Sequence, residues 1–201
     1  MFVQAQFKND IVNFFRTLTD GSDTAFANGL AKVFSDFMNS GVPQTTDAGT
    51  VPAGDFQGAS TGGSLSSTPD GCASVIYSAF SYMHEHQSGG DAYFANKLAL
   101  SVQKLIEDTV VSTAVAGLVQ PPQGSPVPLA GSATGTFECD TSALASTLQS
   151  TFNSMGGMQE GGDELFAEAL SSNIYNCFIA GKVKTDGTEA LAGSKGEGKA
   201  I

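Results

Sequence analysis

The sequence predicts a mainly α-helical protein with small β elements, built from three tandem repeats of a helical hairpin plus a Gly/Pro-rich extended arm or hairpin. Two observations predict this fold. A short box that starts at Asp23 returns at Asp91 and at Asp163, with Asp, Phe, Ala and Leu in fixed places. Each box follows an apolar stripe with helical spacing and precedes a Gly- and Ser/Thr-rich segment. Internal repetition of this kind indicates one supersecondary unit used several times.

The first helix of each repeat is predicted from its apolar stripe. Large apolar residues recur at intervals of four, four and three residues in all three repeats. The members are Phe7, Ile11, Phe15 and Leu18, then Cys72, Ile76, Phe80 and Met83, then Leu144, Leu148, Phe152 and Met155. This spacing matches one face of a helix with 3.6 residues per turn. A short polar stretch follows each stripe and separates it from the second helix.

The second helix of each repeat is predicted to begin at the repeated aspartate. An Asp just before an apolar run can accept a hydrogen bond from the first-turn N–H groups, and its charge suits the positive end of the helix dipole. We therefore predict three helix caps, Asp23, Asp91 and Asp163. We also predict that the repeats superpose, with Phe26, Phe94 and Phe166 buried in equivalent sites. The predicted repeat core is Phe26, Leu30, Phe94, Leu98, Phe166 and Leu170.

Glycines are predicted to end the second helices. Gly41, Gly117 and Gly181 each follow an apolar run and suit a left-handed helix cap. The run before Gly117 is the longest, so we expect a second helix with about two extra turns in the middle repeat. The predicted repeats span residues 1–66, residues 67–138 (with the longer second helix) and residues 139–201.

The Gly- and Ser/Thr-rich segments are predicted to be arms. Residues 51–65, 127–137 and 191–201 are short and each closes on a large apolar residue. Because glycine is a poor interior strand residue, we interpret them as extended arms or weak hairpins. We expect at least one arm to be ordered by pairing with another arm or with the strand edge of a partner subunit.

Composition excludes several function classes. The net charge is −11, and nine Lys and Arg residues do not supply the basic surface that nucleic-acid binding needs. No apolar run approaches the about 18 residues that span a bilayer, so no membrane contact is expected. The N-terminal residues lack both a basic region and a continuous apolar segment, which argues against a secretory signal. Cys72, Cys139 and Cys177 form an odd set with no CxxC pair, which favours reduced packing cysteines over a single disulfide.

Three segments of the chain resemble chemical motifs but lack residues that each motif needs. Residues 193–199 fit the phosphate-loop pattern G-x-x-x-x-G-K, but Ala200 stands where a magnesium-binding Ser or Thr is required. His84 and His86 are the only histidines, and two ligands do not complete a metal site. No G-x-S-x-G elbow accompanies the serines. The sequence therefore predicts no catalytic residues, no cofactor and no metal, and the protein is not expected to be an enzyme.

Short helical hairpins followed by Gly/Ser/Thr/Pro-rich arms, as at residues 58–65 and 193–201, resemble small repetitive structural (virion) proteins of tailed bacteriophages. The resemblance lies in the texture of the whole chain. It implies a non-enzymatic structural subunit of a tailed-phage particle or related contractile assembly, placed in the capsid, neck, tail or baseplate. It also implies localisation to the virion after synthesis in the host bacterial cytoplasm. The implied partners are other structural proteins of the particle, with copies of the same chain among the candidates.

A second function class fits the same repeats. A soluble bacterial adaptor or effector-type binding module could display a repeated surface to a ligand. An assembly protein is expected to be oligomeric or poorly behaved without its partners, whereas a binding module is expected to be a stable monomer. Gel filtration of the isolated chain separates the two hypotheses.

Overall fold

The computed structural model describes residues 1–85, 89–156, 158 and 160–201. Within them, the α-helices are Gln4–Thr17 (α1), Asp23–Asn39 (α2), Asp70–Glu85 (α3), Gly90–Glu107 (α4), Ser142–Met155 (α5) and Gly162–Ala180 (α6). The strands are Pro43–Val51 (β1), Gly54–Ser66 (β2), Val110–Gln120 (β3), Val127–Glu138 (β4), Lys182–Gly187 (β5) and Ser194–Ala200 (β6). A 3-10 helix, Glu189–Leu191, precedes β6. The order helix, helix, strand, strand therefore occurs three times.

The strands form a closed antiparallel barrel. Each strand pairs with its neighbours in chain order, and β1 closes the barrel by pairing with β6. About 30% of the residues lie in strands, and helices and strands alternate along the chain. The prediction of a mainly α-helical fold with small β elements is therefore wrong. The described residues form a six-stranded barrel combined with six α-helices.

The glycines predicted to end the second helices have other places in the structure. Gly117 lies inside β3, and α4 ends at Glu107 instead. The longer second helix predicted for residues 67–138 is absent, because α2, α4 and α6 have 17, 18 and 19 residues. Gly41 and Gly181 do follow α2 and α6, but neither has the positive φ of a left-handed cap. The alternation of buried and exposed residues along β3 is the period-two signal of a strand.

The predicted arms coincide with the second strand of each hairpin. Residues 51–65, 127–137 and 191–201 overlap β2, β4 and β6. Each of these strands pairs on both sides with β1, β3 or β5, and none pairs with another arm. The described strands therefore leave no barrel edge open to a partner's strand. Glycine is required where the strands approach closely: a Cβ at Gly135 would collide with the carbonyl oxygen of Lys184.

The six helices also close into a ring. Each helix packs against its chain neighbours, and α1 packs against α6 as well as α2. Ion pairs reinforce the closing contact: Lys8 Nζ lies 2.7 Å from Glu168 Oε2, and Arg16 contacts Glu164 at 2.9 Å. The hydrogen bond to Glu168 raises the pKa of Lys8, and the same bond lowers the pKa of Glu168. Both side chains are substantially exposed, so these pairs contribute little to stability.

The helix ring stacks on one end of the barrel. The main apolar core fills the ring and continues into the barrel through Leu65, Val111, Phe137 and Val183. A second, smaller apolar cluster lies toward the other barrel end, centred on Phe56. Between the two clusters the barrel interior is polar. Its buried members include Thr45, Asp47, Thr113 and Thr185.

Candidate functional site

One side of the barrel exterior carries no charge. Residues along a strand alternate between the interior and the exterior, so the outward positions of β2, β3 and β4 form one continuous surface. We call it the uncharged barrel face. Its members, all exposed, are Gln57, Ala59, Thr61, Ser64, Ser66, Val110, Ser112, Ala114, Ala116, Leu118, Pro128, Ala130, Ser132, Thr134 and Thr136. Charges appear only at its ends, at Asp55 and Glu138.

Strand β3 runs through the middle of this face. Val110 and Leu118 stand at the two ends of β3 and are 53% and 52% exposed. The positions between them are small: Ala116 lies between Ala59 of β2 and Ala130 of β4 in the register. The centre of the face is therefore flat, with larger apolar side chains at both ends of its middle strand.

The opposite side of the barrel differs in chemistry. The outward positions of β5 and β6 carry six charged residues: Lys182, Lys184, Asp186, Lys195, Glu197 and Lys199. Lys184 Nζ lies 2.8 Å from Glu138 Oε2, and Lys195 pairs with Asp186. The hydrogen bond to Glu138 raises the pKa of Lys184. A partner that covered β5 and β6 would have to desolvate these ions, whereas a partner on the uncharged barrel face would not.

The predicted core phenylalanines meet in a ring at the bundle end away from the barrel. Each helix supplies one member of this ring: Phe15, Phe26, Phe80, Phe94, Phe152 and Phe166. Neighbouring ring centroids are 5.3 to 6.0 Å apart. Phe26, Phe94 and Phe166 occupy alternate positions, but only Phe166 is buried, at 6% exposure. The predicted core leucines lie one turn deeper, where Leu30, Leu98 and Leu170 are fully buried.

The repeated aspartates are not helix caps, contrary to the prediction for Asp23, Asp91 and Asp163. Ser22 caps α2, and its hydroxyl accepts a hydrogen bond from a first-turn backbone N–H at 3.2 Å. Gly89 and Gly161 precede α4 and α6 in the left-handed conformation. The aspartates instead lie within the first helical turn, where their charge still favours the helix dipole.

The phosphate-loop motif lies in a strand, and His84 lies on the surface. Lys199 lies in β6, which pairs on both sides, so the segment is a strand and not a loop that leads into a helix. His84 is exposed, with its Nε2 3.6 Å from a carboxylate oxygen of Asp23. His86 lies outside the described residues. In the described part of the chain, no group of three or more His, Cys, Asp or Glu residues could hold a metal ion. Among the described helices, none has the length and apolarity needed to cross a membrane.

The cysteines differ from the expectation of three reduced thiols. Cys139 and Cys177 form a disulfide, with their Cα atoms 5.6 Å apart. The bond joins the segment after β4 to α6, and so links the barrel to the helix ring. Cys72 is a buried free thiol, and burial raises its pKa to about 12. The pairing could not be seen in the sequence because the two cysteines are 38 residues apart.

No family model, characterised protein or solved structure matches the chain. The sequence signal that would have revealed the uncharged barrel face is the period-two alternation in residues 110–119, where Val111, Thr113 and Val115 point inward and the intervening residues outward.

Proposed function

We propose that this protein is a non-enzymatic structural subunit of a tailed-phage particle or related contractile assembly, and that it works by contacts between subunits. The observation that carries the proposal is the uncharged barrel face. Between Asp55 and Glu138 at its ends, the face formed by β2, β3 and β4 exposes no ion, whereas β5 and β6 together expose six charged residues. A neighbouring subunit that covered this face would desolvate hydroxyl and amide groups but no ion, which lowers the cost of the contact.

Because the barrel is closed, contacts between subunits would form through its outer surface. Strand addition or arm exchange, the mechanism expected from the arms, needs a free strand edge. Every described strand is paired on both sides within the chain. Subunit contacts in an assembly would therefore use the outer surfaces of the strands and helices, and the protein would enter a particle as a folded block.

The far end of the barrel carries a surface groove. A groove of about 510 Å³ at the far barrel end is lined by residues such as Thr50, Gln57 and Gln120, without a histidine or a cysteine. Its lining also includes Asp55, whose Oδ1 accepts a hydrogen bond from the Thr50 hydroxyl at 2.9 Å.

Purified particles provide the test. The protein should co-sediment with particles through a density gradient, in a fixed stoichiometric ratio to the major structural proteins, and should resist removal by washes with high salt. Quantitative mass spectrometry of the gradient fractions measures this ratio. Recovery only in the soluble fractions, as a stable monomer, would contradict the proposal and favour the adaptor or effector-type binding module.

A further inference from the structure

We propose that the pair Cys139 and Cys177 is a redox latch, which is open as two thiols when the chain is made and closes by thiol–disulfide exchange in an oxidising medium. The closed latch ties residues 139–141, which connect β4 to α5, to helix α6. The inference rests on the proposed function, because a phage subunit is made in the bacterial cytoplasm, where thiols stay reduced, and leaves it with the particle.

Neither the barrel nor the helix ring needs this bond to close. The barrel closes through the pairing of β1 with β6, and the helix ring closes through the packing of α1 on α6. A chain of 201 residues with one continuous apolar core is large enough to fold without a covalent cross-link. Opening the bond therefore lowers the stability of the fold without removing it, as a reversible latch requires.

The segment that the bond holds makes local hydrogen bonds. The carboxylate of Asp140 accepts a hydrogen bond from the backbone N–H of Ser142 at 2.8 Å, and the carbonyl of Thr141 accepts one from the backbone N–H of Leu144 at 3.0 Å. Leu144 is buried in the apolar core, so α5 stays anchored when the bond opens. Reduction would therefore release residues 139–141 from their covalent tie to α6 and leave the helix in place.

The corresponding residue after β2 is held without a covalent bond. Ser67, like Cys139, is the first residue after the second strand of its hairpin. Its backbone N–H donates a hydrogen bond to Asn39 Oδ1 at 2.7 Å, and its carbonyl accepts one from Ser35 Oγ at 3.0 Å. Hydrogen bonds therefore suffice to hold such a residue on a second helix. What the disulfide adds at Cys139 is a dependence on redox state.

Small molecules can reach Cys177. Both bonded cysteines are half-buried, and a cleft of about 270 Å³ beside them is lined by Cys177 together with Asn173 and Asn176, but not by Cys139. The rate of thiol–disulfide exchange depends on which sulfur an attacking group can reach. The cleft therefore favours exchange at Cys177. Cys72 takes no part, because it is buried and its burial raises the pKa of the thiol to about 12.

Closure is a balanced exchange with a low-molecular-weight disulfide, RSSR. The Cys177 thiolate attacks one sulfur of RSSR, which forms a mixed disulfide on Cys177 and releases RS⁻. The Cys139 thiolate then attacks the Cys177 sulfur, which forms the protein disulfide and releases the second RS⁻. The two released thiolates take up the protons that the cysteines lost. Two protein thiols are thereby oxidised and one RSSR is reduced to two RSH, and an excess of RSH reverses both steps.

Two single-serine variants test which sulfur exchanges. Cys139→Ser leaves the Cys177 thiol beside the cleft, whereas Cys177→Ser leaves the Cys139 thiol outside it. The folded variants would be treated with 2-hydroxyethyl disulfide, a small neutral probe, and the adducts followed by mass spectrometry. We expect C139S to form its mixed disulfide about tenfold or more faster than C177S, and the oxidised wild type to form none. Circular dichroism checks that both variants are folded, and equal rates in the two would overturn the assignment to Cys177.

The redox state of the chain before and after release tests the latch itself. Acid quenching stops exchange, after which the free thiols are alkylated in urea and counted by mass spectrometry. We expect two thiols at residues 139 and 177 in the cytoplasmic chain, and a disulfide in the chain from released particles. Reduction of the purified chain should also speed amide exchange at residues 139–143 and leave β1 and β6 protected. A bond already complete in the cytoplasm, thiols that persist after release, or unchanged exchange at residues 139–143 would each overturn the inference.

The two proposals fail separately. A chain that co-sediments with particles in a fixed ratio, but whose bond is already closed in the cytoplasm, would overturn the latch and leave the structural function standing. A chain absent from particles, which is a dithiol in the cytoplasm and closes through Cys177 in oxidising buffer, would support the latch and contradict the structural function.

Discussion

The helix ring and the barrel are stabilised by different interiors. The ring interior is mainly apolar, and its fully buried members Leu30, Leu98 and Leu170 come from the same place in each repeat. Its buried polar side chains include one serine in each second helix, at Ser35, Ser101 and Ser171. The barrel is apolar at its two ends, and a polar level lies between them. Thr45, Thr113 and Thr185 are buried in this polar level. Each lies the same number of residues after the repeated aspartate of its own repeat.

The threefold sequence pattern is retained at the buried threonines and is lost at Asp47. At the threonine level each threonine faces a glycine on the adjacent strand: Thr113 with Gly63, Thr185 with Gly135, and Thr45 with Gly198. Two residues further along β1 the pattern breaks, because Asp47 corresponds to Val115 and Gly187 in the other repeats. Asp47 is 2% exposed and accepts hydrogen bonds from Thr45 at 2.7 Å and from Thr185 at 3.2 Å.

The largest expected effect is in the helix ring. Leu98→Ala should lower the free energy of unfolding by about 3 to 5 kcal/mol, because it leaves a cavity in a fully buried layer. Urea unfolding followed by circular dichroism measures the loss. Leu100→Ala, at an exposed position of the same helix, is the control and should cost less than about 1 kcal/mol. Equal losses in the two variants would contradict the packing of α4.

Loss of the disulfide that links the two regions should have the second largest effect on stability. Replacing both Cys139 and Cys177 by Ser should lower the free energy of unfolding by about 2 to 4 kcal/mol, because the unfolded chain loses a cross-link across 38 residues. Reduction of the wild type with dithiothreitol should give the same midpoint as the double variant. A reduced wild type that unfolds at the oxidised midpoint would show that the bond does not form.

Loss of the Asp47 carboxylate should destabilise the polar level of the barrel. Asp47→Ala removes the carboxylate that accepts hydrogen bonds from Thr45 and Thr185, and should cost about 1 to 3 kcal/mol. Asp47→Asn keeps a carbonyl oxygen in place and should cost less. Unfolding curves of the two variants provide the measurement. If the Asn variant is less stable than the Ala variant, the hydrogen bonds that Asp47 accepts are not what stabilises this level.

The smallest effect concerns the thiol in the helix ring. Burial raises the pKa of Cys72 to about 12, so the folded chain keeps this proton above pH 9.0, where the unfolded chain loses it. The folded state then binds more protons, and its stability falls as pH rises from 9.0 toward 12. At pH 8 iodoacetamide should not modify Cys72 until urea unfolds the chain, as mass spectrometry can follow. Rapid modification of the folded chain would contradict its burial.

The helix ring can be predicted from the sequence more completely than the barrel. Each apolar stripe lies in α1, α3 or α5, because a helix buries one face and so repeats its large residues at helical spacing. In the barrel the interior needs Thr and Gly at close approaches, and these residues also signal turns and helix ends. Gly117 therefore suggested a helix end inside what is a strand.

The uncharged barrel face could not be predicted before the strands were assigned. Its small residues are unremarkable in linear order, and only the alternation of inside and outside along β3 gathers them on one surface. The cysteine pairing was hidden for a similar reason, since contact between Cys139 and Cys177 depends on how β4 meets α6. A single pair of residues that meets across two distant segments leaves no periodic signal in the chain.

Thiol labelling in the assembled state tests the central claim most directly. Two variants with one added cysteine each, Ala114→Cys on β3 and Lys199→Cys on β6, would be incorporated into particles and exposed to a maleimide under native conditions, with mass spectrometry to count the labelled sites. Both positions are exposed in the isolated chain, and β6 lies opposite β3 in the barrel. If subunit contacts use the uncharged barrel face, A114C will be protected and K199C will label fully. Equal labelling of the two cysteines would contradict the account.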